Sequence, residues 1–238
     1  MSLPPVHWWR TVFVLIPLIG AATIVLGALS LLSSLVSGTG RFAHRCAQSW
    51  SRFILLTSGI RVERRGASLP APDASCVFVA NHASFYDIPI LFTTVPRQLR
   101  ILAKAGLGRV PFIGWHLLRS GHLLVDRTSS GPATFRRMKR MVQHGASLIV
   151  FPEGGRTEDG QVMPFKRGGF LLAIQSGLPV VPVSLDGSRA VMPRGRLMVR
   201  PATVRVTVHE PIPTAGLTRD DARALADRVR DIIARELS

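Results

Sequence analysis

The sequence predicts an α/β fold with a mixed, largely parallel sheet flanked by helices, preceded by an N-terminal membrane helix or two-helix hairpin. Short apolar runs rich in Val, Ile and Leu recur along the chain, as in strands buried on both faces of a sheet. Amphipathic helical patterns separate these runs, and a long uncharged stretch precedes them. We therefore divide the 238 residues into a membrane-anchoring helical segment, 1–60, and an α/β domain, 61–238.

The N-terminal stretch is apolar enough for a lipid bilayer. No charged residue lies between Arg10 and Arg41, and a spanning helix needs about 20 apolar residues. The stretch is longer than the apolar part of a secretory signal peptide and ends without a clear cleavage site, so we expect it to be retained. Pro17 and Gly20 interrupt it, which allows either a kinked spanning helix or a hairpin that dips into one leaflet.

A second helix is predicted over residues 46–60. Trp50, Phe53, Ile54 and Leu55 would share its apolar face, which would lie either along the membrane surface or against the protein core. Basic residues flank the hydrophobic stretch on both sides, so the positive-inside rule gives only a slight preference for a cytoplasmic α/β domain.

Strands are predicted from six apolar runs that follow a Pro/Ser/Ala-rich connector over 61–75. These runs are CVFVA (76–80), LRILAK (99–104), HLLVD (122–126), SLIVF (147–151), PVVPVSL (179–185) and TVRVTVH (203–209). Proline cannot donate to a strand ladder, so we expect Pro179 at a strand start and Pro182 at a bulge or an edge.

Two helices are predicted beyond the first strands. One covers 131–145, where Pro132 is suited to the helix start and Gly145 to the stop. The other covers 218–237, with Thr218 as its N-cap and acidic residues in its first turn.

The charge of the chain predicts an anionic partner. Lys and Arg number 30 against 14 Asp and Glu, which gives a net charge of +16. Six of the 14 acids lie at or beyond Glu210, so the middle of the chain is strongly basic. Nucleic acid is disfavoured because no RNA-binding aromatic motif or zinc-finger spacing occurs. Cys46 and Cys76 fit neither a zinc site nor a disulfide framework, and we expect two reduced thiols.

The stretch NHASFYD, residues 81–87, places a histidine directly after a predicted buried strand. Open α/β sheets bind ligands at this carboxyl edge, and a histidine there is suited to general-base catalysis at neutral pH. Asp87, five residues after His82, is placed to hold the imidazole and stabilise its cation. Neither a nucleophile elbow nor a motif around Ser84 is present, so the activated hydroxyl would belong to the substrate. The alternative is an Asn-His pair that caps a helix.

A second stretch, FPEGGRT at 151–157, predicts an anion site. Gly154 and Gly155 allow a tight turn with exposed N–H groups beside Arg156, whose guanidinium suits phosphate oxygens. Glu153 would orient that arginine or bind a polyol hydroxyl. The alternative is a glycine-rich turn with a solvated ion pair.

Further cations lie at other predicted strand ends and turns. Arg127, positioned by Asp126 in GHLLVDR (121–127), is a second candidate phosphate contact, and Lys104 ends the run LRILAK. Lys166 and Arg167 in PFKRGGF are candidates too. A solvated surface cation is the alternative for each of them.

Four motifs follow the hydrophobic segment in this order: NHASFYD, GHLLVDR, FPEGGRT and VVPV. Over roughly residues 45–210 the chain thereby resembles the 1-acylglycerol-3-phosphate acyltransferase family, the lysophosphatidic acid acyltransferases of glycerolipid synthesis. The resemblance implies transfer of a fatty acyl group from acyl-CoA or acyl carrier protein to the free sn-2 hydroxyl of lysophosphatidic acid. The product would be phosphatidic acid, for phospholipid biosynthesis.

The resemblance also implies roles for residues of this chain. His82 would be the general base and Asp87 its partner. The glycerol phosphate would be bound by a set of residues that carry the family's second and third motifs, together with one further candidate: Arg127, Glu153, Gly154, Arg156 and Lys104. The third motif usually reads F-P-E-G-T-R-S, whereas Gly155 and Thr157 stand here.

No metal or redox cofactor is implied, and the thioester is a co-substrate. We expect the protein in the inner (cytoplasmic) membrane, with its catalytic domain on the cytoplasmic side. Its partners there would be the bilayer, lysophosphatidic acid and the thioester, and we expect no nucleic-acid partner. Two alternatives remain: an acyltransferase for another lysolipid, such as a lyso-ornithine lipid, and a non-enzymatic protein that binds anionic membranes. The second alternative leaves His82 and Asp87 without a use.

Overall fold

The computed structural model describes residues 5–36, 40–69, 71, 74–125 and 132–237. Within these ranges seven strands form one sheet: β1 Ile60–Gly66, β2 Val77–Ala80, β3 Leu99–Lys104, β4 Leu123–Val125, β5 Ser147–Val150, β6 Val180–Asp186 and β7 Ala202–Val208. Their order is β1-β7-β6-β2-β5-β3-β4. Strands β2 to β6 run parallel, β7 runs antiparallel to β6, and β1 pairs parallel to β7. The predicted mixed, largely parallel sheet is confirmed.

The helices lie before the first strand, between the strands and after the last one. They are α1 Val6–Arg10, a π-helical turn Thr11–Leu15, α2 Ile16–Val36, α3 Arg41–Ser58, α4 Asp87–Thr94, a 3₁₀ turn Ala105–Arg109, α5 Ile113–Arg119, α6 Pro132–Gln143, α7 Gly168–Ser176, α8 Ser188–Val191 and α9 Ala222–Glu236. The predicted start of a helix at Pro132 is confirmed, and Gly145 follows its end with φ of 69°.

Helices cover both faces of the sheet. Successive side chains of a strand point to opposite faces, so Phe78 and Ala80 join one core while Val77 and Val79 join the other. The first core is closed by α3, α4 and α8, and the second by α6, α7 and α9. Burial on both faces explains why the central strands are continuous apolar runs.

The N-terminal segment forms a two-helix hairpin. From Val6 to Ser33 it is long and apolar enough to cross a membrane, with a mean hydropathy of 2.6 and 6% of its most apolar window buried. The π-helical turn precedes Pro17, which has no N–H for the preceding turn. Helix α3 packs back on α2, where Trp50 Nε1 donates to Thr23 Oγ1 at 2.8 Å.

The apolar face of α3 packs against the protein core, which was the second of the two alternatives predicted for this helix. Ile54 and Leu55 are buried in the first core, and Trp50 packs against that core. This contact continues the sheet core into the hairpin.

Strand β1 corrects the prediction of a connector over 61–75. Ile60–Gly66 pairs with β7 from Ile60 opposite Ala202 to Gly66 opposite Val208. The strand lies at the sheet edge, and Arg61, Arg64 and Arg65 are exposed along it. Charged side chains protect an edge strand from pairing with other chains. They also interrupt the apolar pattern from which a strand is predicted.

Two further local predictions are wrong. Pro182 lies inside β6, between β7 and β2, and not at an edge or bulge. Its carbonyl accepts from His209 N at 3.0 Å, past the end of β7, so its nitrogen faces β7 and the N–H that proline lacks costs one bond at the end of that ladder.

Thr218 does not cap α9, because that helix begins four residues later at Ala222 and has no acid in its first turn. The Thr218 N–H and hydroxyl both donate to Asp221 Oδ2 at 2.7 Å. The threonine and the acid therefore form a turn before the helix.

Candidate active site

The NHASFYD motif begins where β2 ends, at the carboxyl edge of the parallel strands. Asn81 is buried and fastens this point to β6: its Nδ2 donates to Leu185 O at 3.0 Å, and Leu185 N donates to its Oδ1 at 2.8 Å. Asn81 therefore holds two strands together and caps no helix. This clamp fixes where the following histidine emerges.

His82 and Asp87 form a hydrogen-bonded pair. His82 Nδ1 lies 2.8 Å from Asp87 Oδ2, and the carboxylate is fully buried at the first residue of α4. The N–H groups of Ala83 and Ser84 also donate to Oδ2, each at 2.8 Å. Three donors and the helix N-terminus stabilise the negative charge. With Nδ1–H directed at Asp87, His82 Nε2 is left as the acceptor, and 17% of the histidine side chain is exposed.

Ser84 is structural in this arrangement. Its side chain is fully buried, and its hydroxyl donates to Met192 O at 3.2 Å. The hydroxyl is thus engaged away from the His82 ring, which agrees with the absence of a nucleophile motif.

Glu153 of the FPEGGRT turn holds the main chain of His82. Its Oε1 accepts from His82 N at 2.6 Å and its Oε2 from Met163 N at 3.0 Å. In return, Thr157 N donates to His82 O at 2.9 Å. Burial raises the pKa of Glu153, against the opposing effect of the two backbone donors. Both carboxylate oxygens are engaged by backbone, and neither contacts Arg156.

Two aromatic rings, absent from the sequence predictions, support the polar residues. Phe151 stacks on the His82 ring with centroids 4.3 Å apart and an interplanar angle of 25°. The Arg156 guanidinium carbon lies 3.6 Å from the centroid of the Phe85 ring, a cation–π contact. Only their position in the sequence could have indicated these two rings, because Phe85 and Phe151 each lie inside one of the two motifs.

Arg194 is a further residue of the site that the sequence motifs did not indicate. Its Nη1 donates to Arg156 O at 3.1 Å and lies 2.9 Å from Glu158 Oε1. Burial and the nearby charge of Arg194 lower the pKa of Arg156. The positive charges of two guanidinium groups thus act on each other at the FPEGGRT turn, an arrangement that favours an anion.

The other predicted cations differ in their placement. Gly154 has φ of 73°, and a Cβ there would collide with the side chain of Lys166, so this ammonium lies over the turn. Lys104 is exposed at the end of β3, on the same sheet edge. Arg167 is exposed directly before α7. Asp126 and Arg127 lie outside the described residues.

An apolar cavity of about 510 Å³ adjoins the NHASFYD motif. Phe85, Tyr86, His116 and His122 line it, together with residues of the N-terminal helix, α3 and α4. Burial lowers the pKa of His116 to about 4 and that of His122 well below its usual value, so both are neutral at pH 7. The space is therefore suited to a hydrocarbon chain.

Comparison with known proteins adds sequence and fold relationships. A family model described as Acyltransferase matches residues 61–186. A chloroplastic 1-acyl-sn-glycerol-3-phosphate acyltransferase of Brassica napus is 35% identical over 189 residues, which cover 77% of this chain and 54% of that protein. The human 1-acyl-sn-glycerol-3-phosphate acyltransferase alpha is 35% identical over 175 residues, 72% of this chain and 62% of the human protein. The chain spans about half the length of the plant relatives it matches.

The fold also matches a solved structure. The crystal structure of a 1-acyl-sn-glycerophosphate acyltransferase from Thermotoga maritima superimposes with a TM-score of 0.80 and 24% identity. The match covers 97% of this chain and 95% of that one, so it includes the N-terminal helices.

Proposed function

Because this chain belongs to the acyltransferase family, we propose that it transfers a fatty acyl group from a thioester to the free sn-2 hydroxyl of lysophosphatidic acid. The product is phosphatidic acid, for phospholipid biosynthesis. The names of the relatives support this acceptor. The observation that carries the proposal is the His82 Nδ1 to Asp87 Oδ2 contact of 2.8 Å, which leaves Nε2 free as a base.

The proposed reaction needs these two side chains and the two substrates. His82 Nε2 takes the proton of the sn-2 hydroxyl while that oxygen bonds to the thioester carbonyl carbon. Asp87 stabilises the imidazolium that forms. The tetrahedral intermediate then collapses, the carbon–sulfur bond breaks, and the leaving thiolate takes the proton from His82 Nε2. The thioester of acyl-CoA or acyl carrier protein is the co-substrate, and no metal or redox cofactor takes part.

The phosphate of the acceptor is proposed to lie at the FPEGGRT turn. Arg156, held on Phe85, supplies a planar donor pair, and Lys166 places its ammonium over Gly154. Lys104, at the end of β3, and Arg127 remain proposed contacts. Glu153 acts by positioning, because its oxygens hold the backbone of His82 and Met163.

The apolar parts of the structure suit a lipid substrate. The cavity volume of about 510 Å³ falls within the range of ~300–1,000 Å³ typical of ligand pockets. We assign an acyl chain to it. The outer side of the N-terminal helix exposes Phe13, Val25 and Leu32, which would lie in the bilayer. The protein is then bound to the membrane, and its catalytic edge lies at the level of the lysolipid headgroup.

Substituting His82→Ala tests this function directly. Purified protein in detergent or liposomes is given radiolabelled lysophosphatidic acid and a panel of acyl-CoA and acyl carrier protein thioesters. We expect a fall in kcat of about 10²-fold or more, since a general base contributes 10²–10⁴-fold. His144→Ala, at an exposed histidine after α6, is the matched control and should keep full turnover.

The outcomes separate the alternatives. Product from lyso-ornithine lipid but not from lysophosphatidic acid would change the acceptor and keep the reaction. Folded wild-type protein that binds anionic vesicles but yields no product from any acceptor and donor would overturn the proposal in favour of a non-enzymatic membrane protein.

A further inference from the structure

A strongly basic surface outside the candidate site lies on α6. Between Arg127 and Pro152 the sequence contains no acidic residue. Helix α6 carries four exposed cations, Arg136, Arg137, Lys139 and Arg140, and none of them pairs with a described acid. An unneutralised cluster of this kind attracts an anionic partner.

Three of these cations form a continuous surface with one polar neighbour. Arg136, Lys139, Arg140 and Gln143 are spaced three and four residues apart, so they share one helix face. At 1.5 Å per residue this face is about 10 Å long. The four residues line a shallow recess of about 420 Å³. The polar atoms needed to bind an acidic helix are therefore already arranged in a row.

The face does not resemble a membrane contact. Apolar residues of α6 point inward, with Met138 and Met141 buried in the second core. Between Leu118 and Leu197 no large hydrophobic side chain among the described residues is exposed. The N-terminal helix and α3 pack on the opposite face of the sheet. An interfacial helix would need apolar side chains to insert, and this surface presents none.

A nucleotide fits the recess less well than a protein does. Its lining contains no aromatic or aliphatic side chain, whereas small-molecule sites are mostly apolar with few polar groups. The position also favours a carrier. Strand β4 ends at the catalytic edge, and α6 is the next described element along the chain. We expect a protein seated on α6 to lie beside the sheet whose carboxyl edge carries His82.

We propose that the exposed face of α6 docks an acidic acyl carrier protein that presents the thioester to the catalytic edge. This inference rests on the proposed function, and it selects the carrier protein over acyl-CoA as the donor that the surface recognises. Charge complementarity of this type controls association and its salt dependence.

The test compares two pairs of charge reversals in the full chain. One variant is Arg136→Glu with Arg140→Glu on α6. The control is Arg228→Glu with Arg235→Glu, two exposed arginines on α9, which covers the same sheet face. Each variant changes the net charge equally. Titration of acylated carrier protein into the detergent-solubilised protein gives Kd, and steady-state kinetics give KM for each donor.

The expected result is specific to one helix and one donor. The α6 variant should raise Kd and KM for the carrier-bound donor about tenfold or more, while KM for acyl-CoA stays within about twofold. The α9 variant should match wild type. Raising the salt concentration should weaken carrier binding to wild type and have little effect on the α6 variant.

Several results would overturn the proposal. If the wild type does not bind the carrier protein, or if both variants weaken carrier binding equally, α6 is not a specific docking surface. An equal rise in KM for acyl-CoA indicates that α6 binds nucleotide phosphates. Loss of binding to anionic vesicles with carrier binding intact assigns the face to lipid. Carrier binding that depends on α6 without turnover of any acceptor would retain the docking surface and reject the proposed function.

Discussion

At the residue scale, Glu153 has a different role in the structure from the one that its motif predicts. The sequence suggested contact with Arg156 or with a substrate hydroxyl. The structure instead directs one oxygen to His82 N and the other to Met163 N. A buried carboxylate between two backbone donors fixes the main chain that carries the base, so its effect on catalysis is through position.

Glu153→Gln separates positioning from substrate contact. The amide keeps one acceptor but turns an NH₂ toward the other backbone N–H, so one buried donor loses its partner, at a cost of about 1–3 kcal/mol. We expect kcat to fall about tenfold or more as His82 shifts, with KM for the lysolipid within about twofold. Glu210→Gln, on an exposed side chain after β7, is the control and should stay near wild type. A raised KM with unchanged kcat would show that Glu153 binds substrate.

At the element scale, the FPEGGRT turn depends on one of its two adjacent glycines. Gly154 has φ of 73° and leaves no room for a Cβ beside Lys166, whereas a Cβ at Gly155 would meet open space. We expect Gly154→Ala to cost about 1–2 kcal/mol from the backbone conformation alone and to lower activity by moving Arg156 and Lys166. Gly155→Ala should be tolerated. Denaturant midpoints and turnover measure both, and equal behaviour of the two variants would contradict this account.

Elements were predictable from the sequence where burial imposes a local pattern. The central strands are buried on both faces, so CVFVA and SLIVF had to be apolar, and the histidine and glutamate motifs directly follow them. Strand β1 carries charge along a sheet edge and pairs with a strand about 140 residues away, so no local pattern marks it. Thr218 failed as a cap because the helix begins only at Ala222, and the Thr218 N–H and hydroxyl bind Asp221 Oδ2 in the turn before it.

At the scale of the whole molecule, the cavity could not be predicted because residues from Thr11 to Val199 line it together. The N-terminal segment has two roles there. Its inner side contributes Leu15 to the core, and Thr11 Oγ1 accepts from Val199 N at 2.9 Å. Its outer side is exposed and apolar. Deleting residues 1–40 would therefore destroy a cavity wall together with any membrane anchor, and substitutions on the outer side alone are the informative test.

Val25→Glu combined with Leu32→Glu provides that test, since these side chains are 57% and 61% exposed. Placing a charge in the bilayer centre costs about 2.5–3.5 kcal/mol per residue, so the variant should shift from sedimenting vesicles to the soluble fraction. Ser68→Glu with Ala224→Glu adds the same charge at exposed positions outside the N-terminal helix and should remain vesicle-bound. Turnover with a detergent-dispersed lysolipid should persist in both variants, because neither pair lines the cavity. Equal vesicle binding by both variants would show that the outer side of α2 is not the anchor.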